Sequence, residues 1–224
     1  MNPLPHLLVT DAVWRRVSWA GTTRPHMLFG ALAPDCHRVM PGVGFRKLHF
    51  RSRRRVGQRL RDFLADYFRP TLRTGTAEEQ AFWIGWLCHI TADALWQQLV
   101  RLEAPELWRS CVSTNTNERA HFRASYRRAC DCVDREIAEA SPQDIVELKW
   151  LLRQVAPDYD VFPLSHGSLN QWVGMVAGSA LPPAQPADCG DAAIDYAFTS
   201  RAMQAAQEQA FALISAELRR ADEP

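Results

Sequence analysis

One uninterrupted segment constrains the fold more than any other. Thr76-Ala-Glu-Glu79 has the form of a capping box, in which a threonine hydroxyl and a glutamate satisfy free amides at a helix start. The following residues, AFWIGWLCHITADALWQQLVRL, carry apolar side chains at helical spacing for several turns without a proline. The pattern predicts a long, largely buried helix, which needs other helices around it. Further helices are expected near residues 5–18, 54–69, 116–140, 143–155, 167–179 and 191–220. Pro142 suits a helix start, and the proline-rich stretch Leu181–Gly190 reads as a linker to a last covering helix. Residues 34–53 read as an irregular loop broken by Pro34 and Pro41-Gly42. No run shows the period-two alternation of a strand. The expectation is an all-α, multi-helix bundle forming a single domain over residues 1–224.

Charge excludes little but points somewhere. Twenty-six Lys and Arg against 25 Asp and Glu leave a net charge of +1, so no global attraction to nucleic acid is expected. No stretch approaches the roughly 18 apolar residues that span a bilayer. The N-terminal segment lacks the basic-then-apolar form of a secretory leader, and a cytoplasmic location is expected. The six cysteines do not form a dense disulfide framework and read as idle thiols. A local basic run extends from Arg46 through Lys47, Arg51, Arg53, Arg54, Arg55 and Arg59 to Arg61. It reads either as a solvated helix face or as an attractor for a phosphate-bearing substrate, with peripheral membrane contact as a further use.

Chemistry enters with His89 and Asp93. Four residues apart on the long helix, they share one face with Phe82, Gly85, Trp86 and Trp96. A carboxylate in apolar surroundings must be paired or bind a metal. Two readings follow from spacing alone: the pair bonds to itself or to an arginine inside the core, or it contributes to a metal site.

Three further motifs precede this helix. They are Pro5-His6, the turn Leu28-Phe-Gly-Ala-Leu-Ala-Pro34-Asp35-Cys-His37, and Lys47-Leu-His49-Phe50. With Gly85-Trp-Leu-Cys-His89-Ile-Thr-Ala-Asp93, the series over residues 4–100 resembles the zinc-dependent phospholipase C family, and more closely its shorter, intracellular branch. The resemblance implies a helical bundle of the phospholipase C / P1 nuclease type, with His6, Asp35, His49, His89 and Asp93 as metal ligands. It implies zinc, and since five ligands exceed what one open zinc needs, two ions are expected, although manganese or iron also accepts such donors. The chain departs from the catalytically active members in having no H-x-x-x-E after the H-x-x-x-D. Tyr126 with Asp131 and Asp134 resembles a Y-x-x-x-x-D-x-x-D segment of the same branch, and the two aspartates either complete a second metal site or form an acidic stripe paired with Arg127, Arg128 or Arg135. His37 and His121 are candidates for supporting the ligands.

The functional expectation is a metal-dependent hydrolase acting on a small phosphoester or phospholipid head group, with Asp35, set at a turn, as the base or water-positioning residue. The alternative is a non-catalytic helical protein whose metal site serves stability or a partner interface. A phosphohydrolase of the HD type needs an adjacent His-Asp pair that the sequence lacks, and a ferritin-like diiron site needs two copies of the single Glu118-x-x-His121.

Overall fold

The structure is a computed structural model that describes residues 2–17, 23–40, 48–49, 58–155, 167–179 and 194–221. Helices dominate, and no strand occurs among the described residues. In chain order they are α1 (Pro3–Trp14), α2 (Arg24–Leu32), a 3-10 turn (Ala33–Arg38), α3 (Gln58–Phe63), a π turn (Leu64–Phe68), α4 (Arg69–Thr74), α5 (Ala77–Glu103), α6 (Pro105–Val112), α7 (Thr116–Ala140), α8 (Pro142–Gln154), α9 (Ser168–Gly178) and α10 (Tyr196–Ala221). No described helix is long and apolar enough to cross a membrane.

The central element is α5, and its start forms as the sequence predicts. Thr76 accepts a hydrogen bond from the Glu79 amide, and the Glu79 carboxylate accepts one from the Thr76 amide at 2.8 Å. Its inner face buries Phe82, Ile84, Trp86, Leu87 and Cys88 completely. α2 and α10 make its most extensive contacts, and α1 packs across α2, α5 and α10. The core therefore sits around α5, with α8 and α9 forming a layer against α2 and the 3-10 turn.

α2 is the element that periodicity does not reveal. Nearly every residue from Pro25 to Leu32 is buried, so no polar face marks it, and Gly30 weakens its local preference. Its start fits Pro25 in the first turn. α6, opening on Pro105, is similarly short and unannounced. Part of the expected loop at 34–53 is instead the 3-10 turn, which carries Asp35 and His37. The linker 181–190 and most of the basic run 46–61 lie outside the described residues. Arg61 falls inside them and is exposed.

Glycine sets the closeness of α2 and α5. A β-carbon on Gly30 would fall 1.8 Å from the Phe82 carbonyl oxygen, and one on Gly85 would fall 1.8 Å from that of Met27. The two backbones touch at these positions. That contact brings the carbonyl of Ala31 within reach of the side chain one turn beyond Gly85, which is His89.

Candidate metal centre

Four pieces of chain deliver five side chains to one place. α1 supplies His6, the 3-10 turn supplies Asp35, the short described piece 48–49 supplies His49, and α5 supplies His89 and Asp93. All five are buried, with His6 and His89 each 1% exposed. His49 is held through its neighbour, because the Trp86 indole donates to the Leu48 carbonyl at 3.2 Å.

The nitrogen and oxygen atoms face one another at a characteristic spacing. His49 Nε2 lies 3.0 Å from His89 Nε2, 3.5 Å from Asp93 Oδ2 and 3.6 Å from Asp35 Oδ1. His6 Nε2 lies 3.6 Å from Asp93 Oδ1, and the His6 and His89 rings stack at 3.7 Å with an 11° tilt. Ligands held at 2.0–2.1 Å around a tetrahedral zinc stand about 3.3 Å apart, and the observed distances bracket that value. They are mostly too long for hydrogen bonds between the same atoms. Two adjacent donor groups result, His6 with His89 and Asp93, and Asp35 with His37 and His49, meeting where His49 approaches His89.

Protonation suits a cation. His89 Nδ1 lies 2.7 Å from the Ala31 carbonyl oxygen, which can only accept, so the proton of the neutral ring is on Nδ1 and the Nε2 lone pair points into the cluster. Burial, reinforced by the other imidazoles, lowers the pKa of His6 well below the usual histidine value. Burial also lowers that of His89, against the pull of Asp35 and Asp93. Burial alone would raise Asp93, but its surroundings, the imidazoles of His89, His6 and His49 among them, hold it well below the ordinary carboxylate range.

His6 provides the test of fit. Neither of its ring nitrogens has a hydrogen-bond partner, although the residue is all but inaccessible. An unsatisfied buried polar atom costs roughly 1–3 kcal/mol, and a fold retains one where something else fills the need. A cation of the zinc type fits a donor set of imidazole nitrogen and carboxylate oxygen, and His6, His49, His89, Asp35 and Asp93 are the residues that would hold it.

The remaining expected residues stand apart from the two groups. Asp131 Oδ1 accepts a hydrogen bond from the Asn2 side chain at 3.1 Å, which ties α7 to the start of α1, four residues before His6. Asp134 is buried one turn along, and that burial pushes its carboxyl up to about 7. Neither aspartate belongs to a described cluster of metal-ligating groups. The side chain of His121 is outside the described residues.

Two neighbours of Asp35 join it, His37, which the sequence already marks as a candidate, and Arg38, which it does not single out. His37 Nδ1 lies 4.0 Å from Asp35 Oδ1 and 3.1 Å from the Pro34 carbonyl oxygen, which makes it a member of the second donor group. Arg38 Nη2 lies 3.3 Å from Asp35 Oδ2. Arg38 could have been marked in the sequence by following Asp35 three residues later in a short turn, where side chains i and i+3 share a face.

Compared with known proteins, the chain matches no protein-family model, no curated protein and no solved structure.

Proposed function

We propose that this protein is a metal-dependent hydrolase of small phosphoesters, similar in its donor set to the zinc-dependent phospholipases C, acting inside the cell. The observation that carries the proposal is the buried convergence of three imidazoles and two carboxyl groups at spacings suited to a shared cation. Zinc is the metal that best fits these donors, and the two adjacent groups suit two ions.

A bound divalent cation supplies Lewis acidity, polarising a phosphoryl oxygen and offsetting the charge that builds on it. The protein's own contributions divide by position. His6 and His89, kept neutral by burial, and Asp93, kept ionised, are fixed on helices and serve to hold. Asp35 stands on the 3-10 turn with one oxygen towards His49 and the other towards Arg38, and it is the carboxyl placed to take the proton of an attacking water.

One observation favours a second reading. The donor side chains are almost closed to solvent, as in metal sites that serve the fold rather than a reaction. Elemental analysis followed by assay with bis(p-nitrophenyl) phosphate and p-nitrophenylphosphorylcholine separates the two. The proposal expects close to two zinc ions per chain, hydrolysis that a chelator abolishes and zinc restores, and loss of turnover in Asp35→Asn while the ion held by His6, His89 and Asp93 is retained. Bound zinc that raises the melting temperature without hydrolysis of either ester establishes the structural role instead, and absence of metal overturns both.

A further inference from the structure

Among the described residues, Arg38 forms an ion pair with a member of the donor cluster, and its surroundings aim it. It is the last residue of the 3-10 turn, three after Asp35, and its Nη2 lies 3.3 Å from Asp35 Oδ2. On its other side the guanidinium carbon lies 5.3 Å from the centre of the Trp172 ring. That ring is itself fixed, since Trp172 is buried and its indole donates to the Leu32 carbonyl at 3.1 Å. A guanidinium over an aromatic face is attracted by the ring and loses freedom, which pre-orients it for a partner.

The pairing with Asp35 leaves capacity over. A guanidinium carries five N–H donors, and a single carboxylate oxygen cannot use them. The Arg38 side chain remains 42% exposed, whereas that of Asp35 is 6% exposed. Arg38 thus spans from solvent to a buried carboxyl whose other oxygen faces His49. Asp35 is also the residue that a cation in the second donor group would engage, and such engagement weakens its hold on Arg38.

We propose that Arg38, braced by Trp172 and Asp35, is the residue that grips the phosphoryl oxygens of an anionic substrate at the rim of the metal cluster. This rests on the metal-hydrolase reading and names the class of substrate it takes: esters whose phosphoryl group carries at least one negative oxygen. The planar fork matches two such oxygens at once, which lysine cannot do. Arg38 acts as a binding residue, and the cluster beneath it keeps its metal without it.

The test uses inorganic phosphate as the probe on the zinc-loaded full chain, with zinc content measured alongside phosphate affinity by calorimetry. Arg38→Met is expected to retain zinc at the parent stoichiometry and to weaken phosphate binding roughly tenfold or more, the value of a charge-assisted hydrogen bond. Arg38→Lys is expected to recover part of the loss, and added guanidinium ion to recover part of it in Arg38→Ala. In turnover assays the same variants raise KM more than they lower kcat. Unchanged phosphate affinity in zinc-loaded Arg38→Met overturns the proposal, as does a zinc-loaded parent that binds no phosphate. A parent chain that binds no zinc removes the metal reading itself and this proposal with it. Loss of zinc in both Arg38→Met and Arg38→Lys shows instead that Arg38 supports the cluster, which also overturns a binding role.

Discussion

Gly30 on α2 and Gly85 on α5 face each other across a crossing with no space for a side chain on either. Each position would place a β-carbon 1.8 Å from a backbone carbonyl oxygen of the opposite helix, and backbone cannot turn aside as a flexible side chain can. The crossing is therefore the joint on which the Ala31–His89 hydrogen bond depends.

Gly85→Ala is expected to destabilise the fold by about 3 kcal/mol or more, or to prevent folding, since overpacking between rigid elements exceeds the small helical preference of alanine. Gly174 on α9 supplies the control, because a β-carbon there meets nothing within 4 Å. Gly174→Ala should be stabilising by about 0.5–1 kcal/mol through helix propensity. Urea denaturation of the two variants compares them directly, and equal midpoints would remove the crossing from the account.

Metal content separates the cluster from its neighbours. His89→Ala removes a nitrogen already oriented by Ala31, and Asp93→Asn removes the charge nearest His6, so each should lower bound zinc by at least one ion per chain. Asp131→Ala breaks the bond to Asn2 but touches neither donor group, and zinc content is expected to stay at the parent value. Elemental analysis of the three proteins purified without chelator decides between these outcomes. Loss of zinc in Asp131→Ala would bring that aspartate into the site.

Much of this is legible in the sequence itself. The capping box and apolar run of α5 announce themselves because a long buried helix needs a satisfied start and an unbroken stripe. Thr116–Ala140 and Pro142–Gln154 fall almost where sequence places them, the second because proline fixes its first turn. His89 and Asp93 follow from spacing and the cost of burying a carboxylate. α2 is not legible, because a helix buried on all sides has no polar face and a glycine reads locally as a breaker when its reason is Phe82, fifty-two positions away. The same non-local dependence hides Arg38, whose aim comes from Trp172 on a helix remote in sequence.

A buried ion-pair network ties α1 to α2. The Asp11 carboxylate, 4% exposed as a residue, accepts from Arg15 Nε at 2.8 Å and from Arg24 Nε at 2.6 Å, while Arg24 also bonds Glu147 on α8. Asp11→Ala leaves the largely buried Arg24 side chain with half its compensation and should cost about 3 kcal/mol. Arg15 is half-exposed, so Arg15→Ala should cost under about 1 kcal/mol. Thermal or urea unfolding measures both, and similar losses for the two variants would show that the network owes little to burial.

The pH dependence of stability follows from opposing groups. His6 and His89 have folded pKa values below the unfolded value of 6.5, so each contributes stability that is complete above that value and is lost as pH falls below it, because the unfolded chain takes up the proton first. Half-buried His26 shifts in the same direction. Asp134 behaves oppositely: its folded value of about 7 lies above its unfolded 3.8, so between those values the fold holds a proton that the unfolded chain does not, and acidification relieves it. Asp93 adds nothing to this window, since its depressed value places its loss below 3.8. With His6, His89 and His26 against one carboxyl, metal-free protein should lose stability as pH falls from roughly 6 to 5. Asp134→Asn deletes the compensating group, and the loss should steepen by about 1.4 kcal/mol per pH unit while stability above pH 7 rises. Urea midpoints taken across pH 8 to 5 in chelator give both slopes. A profile that is flat in the parent, or one that Asp134→Asn leaves unchanged, contradicts the assignment of these shifts to burial.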